Sequence, residues 1–167
     1  MLTQKVVQEY FDYKDGILYW KVKAANRVKV GSPAGTFDPS TRYHRVHILK
    51  KFHKTHRVIF LYHHGYLPDF IDHIDGNKLN NRIENLRAAT KSQNCMNQKL
   101  SIRNTSGTKG VYWLKREKKW LVSLRVNSIL HSFGYFKDKE LAELVAIEAT
   151  NKMHQEFSAY KGVLHGQ

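Results

Sequence analysis

The sequence predicts an α+β fold in two modules: short β-hairpins leading into a β–β–α segment, then a three-stranded antiparallel sheet with one helix. Three observations predict it. Residues 11–54 alternate aromatic or β-branched runs with Gly, Pro and Asp-Gly turns. Residues 70–97 hold two short apolar runs followed by a helical pattern. Residues 110–136 hold three more runs before a helical stretch from residue 139. The chain has 167 residues, room for one ordinary domain or two small ones. Its 41% hydrophobic and 12% aromatic content is too apolar for a disordered chain.

Residues 11–20 have two aromatic-rich ends joined through Lys14-Asp15-Gly16, which predicts a hairpin because Asp and Gly tolerate the positive φ of such turns. Residues 30–37 are turn-rich, with Gly31, Pro33 and Gly35. Residues 43–49 alternate and predict a strand, followed by a charged turn at Lys50-Lys51. Everything up to residue 54 reads as strand and turn. Thr55 is the expected N-cap of a helix over 56–64, with Val58, Ile59, Leu61 and Tyr62 on its apolar side and Gly65 and Pro68 ending it. A strand over 70–74, a turn at Asp75-Gly76-Asn77, a return strand over 83–87 and a helix from residue 88 or 90 to 97 make the β–β–α segment.

Residues 100–108 are polar, contain Asn104-Thr105-Ser106-Gly107, and read as a linker. Strands follow at 110–114, 119–126 and 129–136, turning at Arg116-Glu117-Lys118 and Asn127-Ser128. Asp138 caps a final helix over 139–157. Its Leu141, Leu144, Val145, Ala149, Met153 and Phe157 form the face expected to cover one side of the sheet and leave the other open.

The 28 Lys+Arg outnumber the 14 Asp+Glu, a net charge of +14 and an isoelectric point of about 9.9, which favours a polyanionic partner. The excess is concentrated: residues 99–136 hold 8 basic side chains and only Glu117 as an acid. No apolar run approaches the roughly 20 residues that span a bilayer. The first ten residues carry charges where a signal peptide needs an apolar stretch. The expectation is an intracellular protein with no membrane partner. A lone Cys95 leaves no internal disulfide framework and no multi-cysteine zinc site, and reads as an inert thiol.

The chemistry centres on Asp72-His73-Ile74-Asp75-Gly76-Asn77, continued by Asn80-Asn81-Arg82-Ile83-Glu84-Asn85-Leu86-Arg87 and, nine residues past Asn85, by Asn94. One carboxylate, one imidazole and a later amide suit a single-metal site that hydrolyses phosphodiesters. Carboxylate and amide oxygens hold a hard cation, and the imidazole takes a proton from water.

With His56-Arg57-Val58 before it and Ser92-Gln93-Asn94 after it, this stretch resembles the HNH endonucleases of phages and mobile introns. Residues 104–160 resemble the AP2-type DNA-binding domain, through Gly107-Thr108-Lys109-Gly110-Val111-Tyr112-Trp113, Lys119-Trp120 and Gly134-Tyr135-Phe136 before a helix. The resemblances imply an HNH nuclease domain over 1–99, with a ββα-metal core over 69–97, and an AP2-like domain over 104–160. They also imply a homing-type, phage-encoded enzyme working in the host cytoplasm.

By position, the resemblance makes His73 the general base and Asp72 the acidic metal ligand. Asn85 becomes the middle motif residue, bracing the loop and orienting the base, and Asn94 the last motif position. Asn97, one turn later, competes with Asn94 as the second ligand. Oxygen ligands point to Mg²⁺ or Mn²⁺, and without paired cysteines no structural zinc is expected. The expected reaction is attack of water on a DNA phosphorus opposite the departing 3′ oxygen, leaving a 3′-hydroxyl and a 5′-phosphate. One site cuts one strand, so a monomer nicks, and a double-strand break needs a homodimer or a second visit.

Double-stranded DNA is the expected partner. Its candidate contacts are Arg87, Lys109, Tyr112, Trp113, Lys115, Arg116, Lys118, Lys119 and Arg125, some facing away because strand residues alternate. Trp120 reads as core against the final helix, and His56 as a packing residue at a helix start. Asp75 reads as a turn stabiliser. Two rival readings stay open: a DNA-binding regulator on an HNH scaffold that has lost catalysis, and an RNA- or membrane-surface-binding protein that uses only its charge.

Overall fold

Thr3, Val7 and Tyr10 open the chain as a helix, where strand and turn were expected. In α1, Gln4–Tyr10, the N-cap Thr3 accepts a hydrogen bond from the Val6 amide. Val7 is fully buried in the core. A capping hydroxyl three residues before a Val-Val pair is the signal that reveals this helix in the sequence.

The computed structural model describes residues 1–96, 100, 102 and 104–154. Within them the chain is a mixed α/β structure of four helices and several small antiparallel sheets. It divides into two units, Met1–Ala89 and Thr90–Gln167.

In the first unit, β1 (Phe11–Lys14) and β2 (Ile17–Trp20) form the expected hairpin, with β3 (Pro33–Ala34) beside β2. Asp15 and Gly16 both have positive φ, 49° and 86°, as a tight turn matched to strand twist requires. A second sheet has the order β4 (Thr36–Asp38), β5 (Tyr43–Ile48), β6 (Lys51–Lys54). Its tight turn is Leu49-Lys50, both with positive φ, one residue earlier than the lysine pair suggested.

Helix α2, Thr55–His64, ends at Gly65 in the left-handed region, as expected. Its cap position is Lys54 and not Thr55, because Thr55 is already helical and buried. Gln4 and Gln8 of α1 donate to the Tyr62 carbonyl, tying the two helices at that end. Val7, Phe11, Leu18, Trp20, Val46, Ile48 and the Val58-to-Leu61 run of α2 meet in one core. Each full burial of such a side chain contributes about 1.5–3 kcal/mol.

β7 (Phe70–His73) pairs antiparallel with β8 (Leu86–Ala89). The expected return strand over 83–87 is instead a single 3-10 turn, Ile83–Asn85, followed by β8. The turn forms because the Asn85 side chain is spent on the loop before it, which keeps those residues out of extended pairing.

In the second unit, α3 (Lys91–Met96) starts with a capping box: Thr90 accepts from the Gln93 amide while the Gln93 side chain accepts from the Thr90 amide. The alternative ligand Asn97 lies outside the described residues, as does Phe157. Strands β9 (Val111–Leu114), β10 (Lys119–Val126) and β11 (Ile129–Phe136) form a sheet in the order β11-β10-β9. Helix α4, Lys139–His154, packs on it, capped by Asp138 at 3.1 Å from the Leu141 amide.

The packing face of α4 differs from the expected one. Ala142 and Ala146 are fully buried against Val111 and Val122, whereas Leu141 and Leu144 are 50% and 54% exposed. Trp120, Phe133 and Phe136 already fill the space over the sheet, so the helix approaches through its smallest side chains. Trp120 is on this covered side, as expected. Tyr112, Leu121 and Tyr135 stand in register on the other, with Tyr112 and Tyr135 exposed.

Candidate functional site

β7 and β8 place Asp72 opposite Arg87 and His73 opposite Leu86. Arg87 donates through Nε at 3.0 Å and Nη2 at 2.8 Å to Asp72 Oδ2, a pair with both side chains largely buried. Arg87, expected on DNA, therefore has its guanidinium on the carboxylate next to the candidate base. Asp72 and His73 are each only 5% exposed.

The amide on the His73 ring is that of Asn81, whose Oδ1 lies 3.2 Å from Nε2. An amide oxygen only accepts, so Nε2 carries the proton and Nδ1 is the acceptor nitrogen of the neutral ring. Asn85 does its bonding elsewhere. Its Oδ1 accepts from the Asp75 amide, and its Nδ2 donates to Asp75 Oδ1 and the Asn80 carbonyl. Asp75 also accepts from the Asn77 amide and from Asn80 Nδ2. Burial works against ionisation of Asp75, but bonds from Asn80, Asn77 and Asn85 outweigh it and hold its carboxyl below the usual range. The loop over 75–85 is thus closed on itself through Asp75, and Asn81 is presented at its far end.

The N-terminal hairpin supports that end. Tyr13 Oη accepts from the Ile83 amide at 2.9 Å. Gly16 sits so close that a Cβ there would lie 2.8 Å from the Arg82 nitrogen.

Two more rings lie beside His73. His56, in the first turn of α2, meets it edge-on at 5.0 Å between centroids, and Tyr43 of β5 lies 5.0 Å from His56 and 6.1 Å from His73. Burial pushes the His73 imidazole below its usual range, and the Asn81 bond and the nearby Asp75 and Asp72 carboxylates only partly offset it. Burial, with the positive charge of His73 when protonated, pushes His56 down to about 3. Among the described residues its buried Nδ1 has no hydrogen-bond partner. Both rings are therefore neutral at pH 7, the state a proton acceptor needs.

In the second unit, Lys115, Arg116 and Lys118 project from the β9–β10 turn, all exposed, and Arg125 is exposed on β10. Lys119 is half-buried. Tyr112 and Trp113 face opposite sides of β9; Trp113 stacks on Trp120 with centroids 4.9 Å apart. A cavity of about 1070 Å³ brings Lys109, Tyr112, Trp113 and Arg125 together with Lys91. Burial there pushes the Lys109 ammonium below its usual range. Asn94 is on α3, within this unit.

Among the described residues, no group of three or more His, Cys, Asp or Glu side chains is placed to hold a metal ion. A protein cage is not what magnesium requires, since it keeps several waters and uses one or two carboxylates with substrate phosphates. Asp72 with an amide oxygen fits that donor chemistry.

Residues 53–96 match the model of the HNH endonuclease family. Protein 3.8 of Escherichia phage T7 is 33% identical over 119 residues, which cover 67% of this chain and 96% of that protein. The chain carries an HNH endonuclease domain and belongs to one family with T7 protein 3.8. A protein of Acanthamoeba polyphaga mimivirus, named as an uncharacterized HNH endonuclease, is 36% identical over 107 residues, 62% of this chain and 54% of its own length. No solved structure matches.

The HNH match includes Lys54, His56, Asp72, His73, Lys78, Asn81, Asn85 and Asn94. No periodicity in the sequence singles out Asn81 from its neighbours in an Asn-rich loop. Tyr43 falls outside the HNH match and joins the site only through sheet pairing. Among the described residues, no helix is long and apolar enough to cross a membrane.

Proposed function

We propose that the protein is a divalent-metal-dependent DNA endonuclease that nicks duplex DNA, of the homing type and virus-borne. The observation that carries this reading is a neutral His73 ring with Nε2 held by Asn81, one residue from the Asp72 carboxylate, inside an HNH domain. His73 Nδ1 takes the proton of the attacking water. The bond from phosphorus to the 3′ oxygen breaks, giving a 3′-hydroxyl and a 5′-phosphate. Asn81 fixes the tautomer, and the Asp75–Asn85 bracing holds the loop that carries Asn81.

Asp72 would hold the cation, Mg²⁺ or Mn²⁺, with Asn94 as second ligand by the family resemblance. When bound, the cation supplies charge to offset that developing on the phosphate. The exposed basic turn of the second unit, with Lys109, Tyr112 and Arg125, supports duplex binding by an AP2-like module. The phage and mimivirus relatives support action inside an infected host cell.

One observation favours the rival reading of an inactive DNA-binding regulator: the Arg87 guanidinium holds Asp72 as a structural ion pair. Supercoiled-plasmid cleavage with Mg²⁺, with and without EDTA, separates the two. The nuclease nicks, EDTA stops it, and His73→Ala and Asp72→Ala abolish it. Tight DNA binding with no cleavage by the wild type would establish the regulator.

A further inference from the structure

Two ammonium groups converge on one aromatic ring beside His73. Lys54 Nζ lies 4.3 Å and Lys78 Nζ 4.8 Å from the Tyr43 ring centre. Lys54 comes from the end of β6 and Lys78 from the loop after β7, so two separate parts of the first unit bring them together. Neither lysine is in an ion pair among the described residues. A cation–π contact returns only about 0.5–1 kcal/mol at an exposed site, so the two charges set about this ring are not neutralised by it. Such an arrangement is suited to an anion at the rim of the ring.

The surface continues in the same direction. Tyr43, Arg45 and His47 alternate along one side of β5, and their register partners Lys54 and Phe52 stand on that side of β6. Phe52 is 61% exposed, with the Arg45 guanidinium 4.4 Å over its ring and His47 at 4.8 Å. Three alternate strand residues span about 13 Å, the rise of roughly four base pairs. An exposed aromatic beside a histidine and an arginine, the latter also 3.3 Å from Asp38, suits a sugar–phosphate backbone better than it suits free solvent.

We infer that Lys54 and Lys78, set about Tyr43, seat a backbone phosphate next to the one being cut, and that the Arg45–Phe52 side of the β5–β6 hairpin carries the adjoining duplex DNA. The inference rests on the nuclease reading for its scissile phosphate and adds a contact surface in the first unit, apart from that expected in the second.

The test is binding of the full-length chain to a mixed-sequence 30-base-pair duplex in EDTA, followed by fluorescence anisotropy at several salt concentrations. Lys54→Gln with Lys78→Gln should lower the slope of log affinity against log salt by about one to two, since each phosphate contact contributes roughly 0.9. Lys54→Arg with Lys78→Arg should keep the wild-type slope. Lys23→Gln with Lys29→Gln, exposed lysines of the same unit, should change it by less than half as much. Equal thermal midpoints establish that all variants are folded.

An unchanged slope in the first variant, or equal falls in the first and third, would overturn the surface. Plasmid nicking by the wild type keeps the two ideas apart. Absent nicking with the predicted slope change sinks the nuclease and leaves the surface. Retained nicking with no slope change sinks the surface alone.

Discussion

His73 and His56 touch, yet their depressed pKa values have different consequences. For His73, as the proposed base, the consequence is kinetic. Its neutral form would be the active one, and burial places its titration below the usual 6.5. Cleavage rate should therefore be flat from pH 7 upward and fall only as pH drops through the lowered value. The Asn81 bond raises that value, so Asn81→Ala should shift the acid limb of a pH–rate profile to lower pH. Losing the ring's orientation should also slow cleavage about tenfold or more, with DNA affinity kept. For His56 the consequence is stability. Its folded value of about 3 lies below the unfolded 6.5. The stability it contributes is complete above pH 6.5 and is lost as pH falls toward 3, by up to about 1.4 kcal/mol per pH unit. Urea midpoints at pH 7 and pH 5 should differ less in His56→Phe than in the wild type.

At the scale of elements, the turn of the first hairpin is the most exacting piece. Gly16 has φ of 86° and no room for a Cβ against the Arg82 backbone. Gly16→Ala should cost about 1–3 kcal/mol, read as a fall in thermal midpoint. Cleavage should weaken as well, because the displaced backbone adjoins Asn81. Ala146→Leu on α4 should cost about 1–3 kcal/mol by overpacking, while Leu144→Ala, on the exposed side, should cost under about 0.5. These elements also show what the sequence discloses. Asp15-Gly16, Gly65 and Asp138 mark boundaries through local backbone chemistry, and each is found where expected. Side-chain orientation is settled by distant partners. Leucines outweigh alanines in any hydrophobic pattern, yet the bulk of Trp120, Phe133 and Phe136 decides that alanines face the sheet. The Asp72-His73 pair is easily picked out because the two residues are neighbours in the sequence. Asn81 and Tyr43 are not, because loop closure and sheet pairing bring them in.

Across the molecule, the charge is shared equally. Residues 1–89 carry 15 Lys+Arg against 8 Asp+Glu, and residues 90–167 carry 13 against 6, a net of +7 each. Two cationic units on one chain should give an affinity for duplex DNA that falls steeply with salt and exceeds that of either unit through effective concentration. Comparing the chain with its residues 1–89 in an anisotropy titration at 150 mM salt checks this; equal affinities would leave the second unit without a part in binding. The bracing of residues 75–85 by the first hairpin bears on how the HNH domain can be moved between proteins. The family match begins at residue 53, but Tyr13, Gly16 and the buried Val7, Phe11 and Leu18 all lie before it. A chimera that borrowed only the matched segment would import His73 without the hairpin that braces the loop beside it. The smallest portable cassette for that part of the site is the whole of residues 1–89.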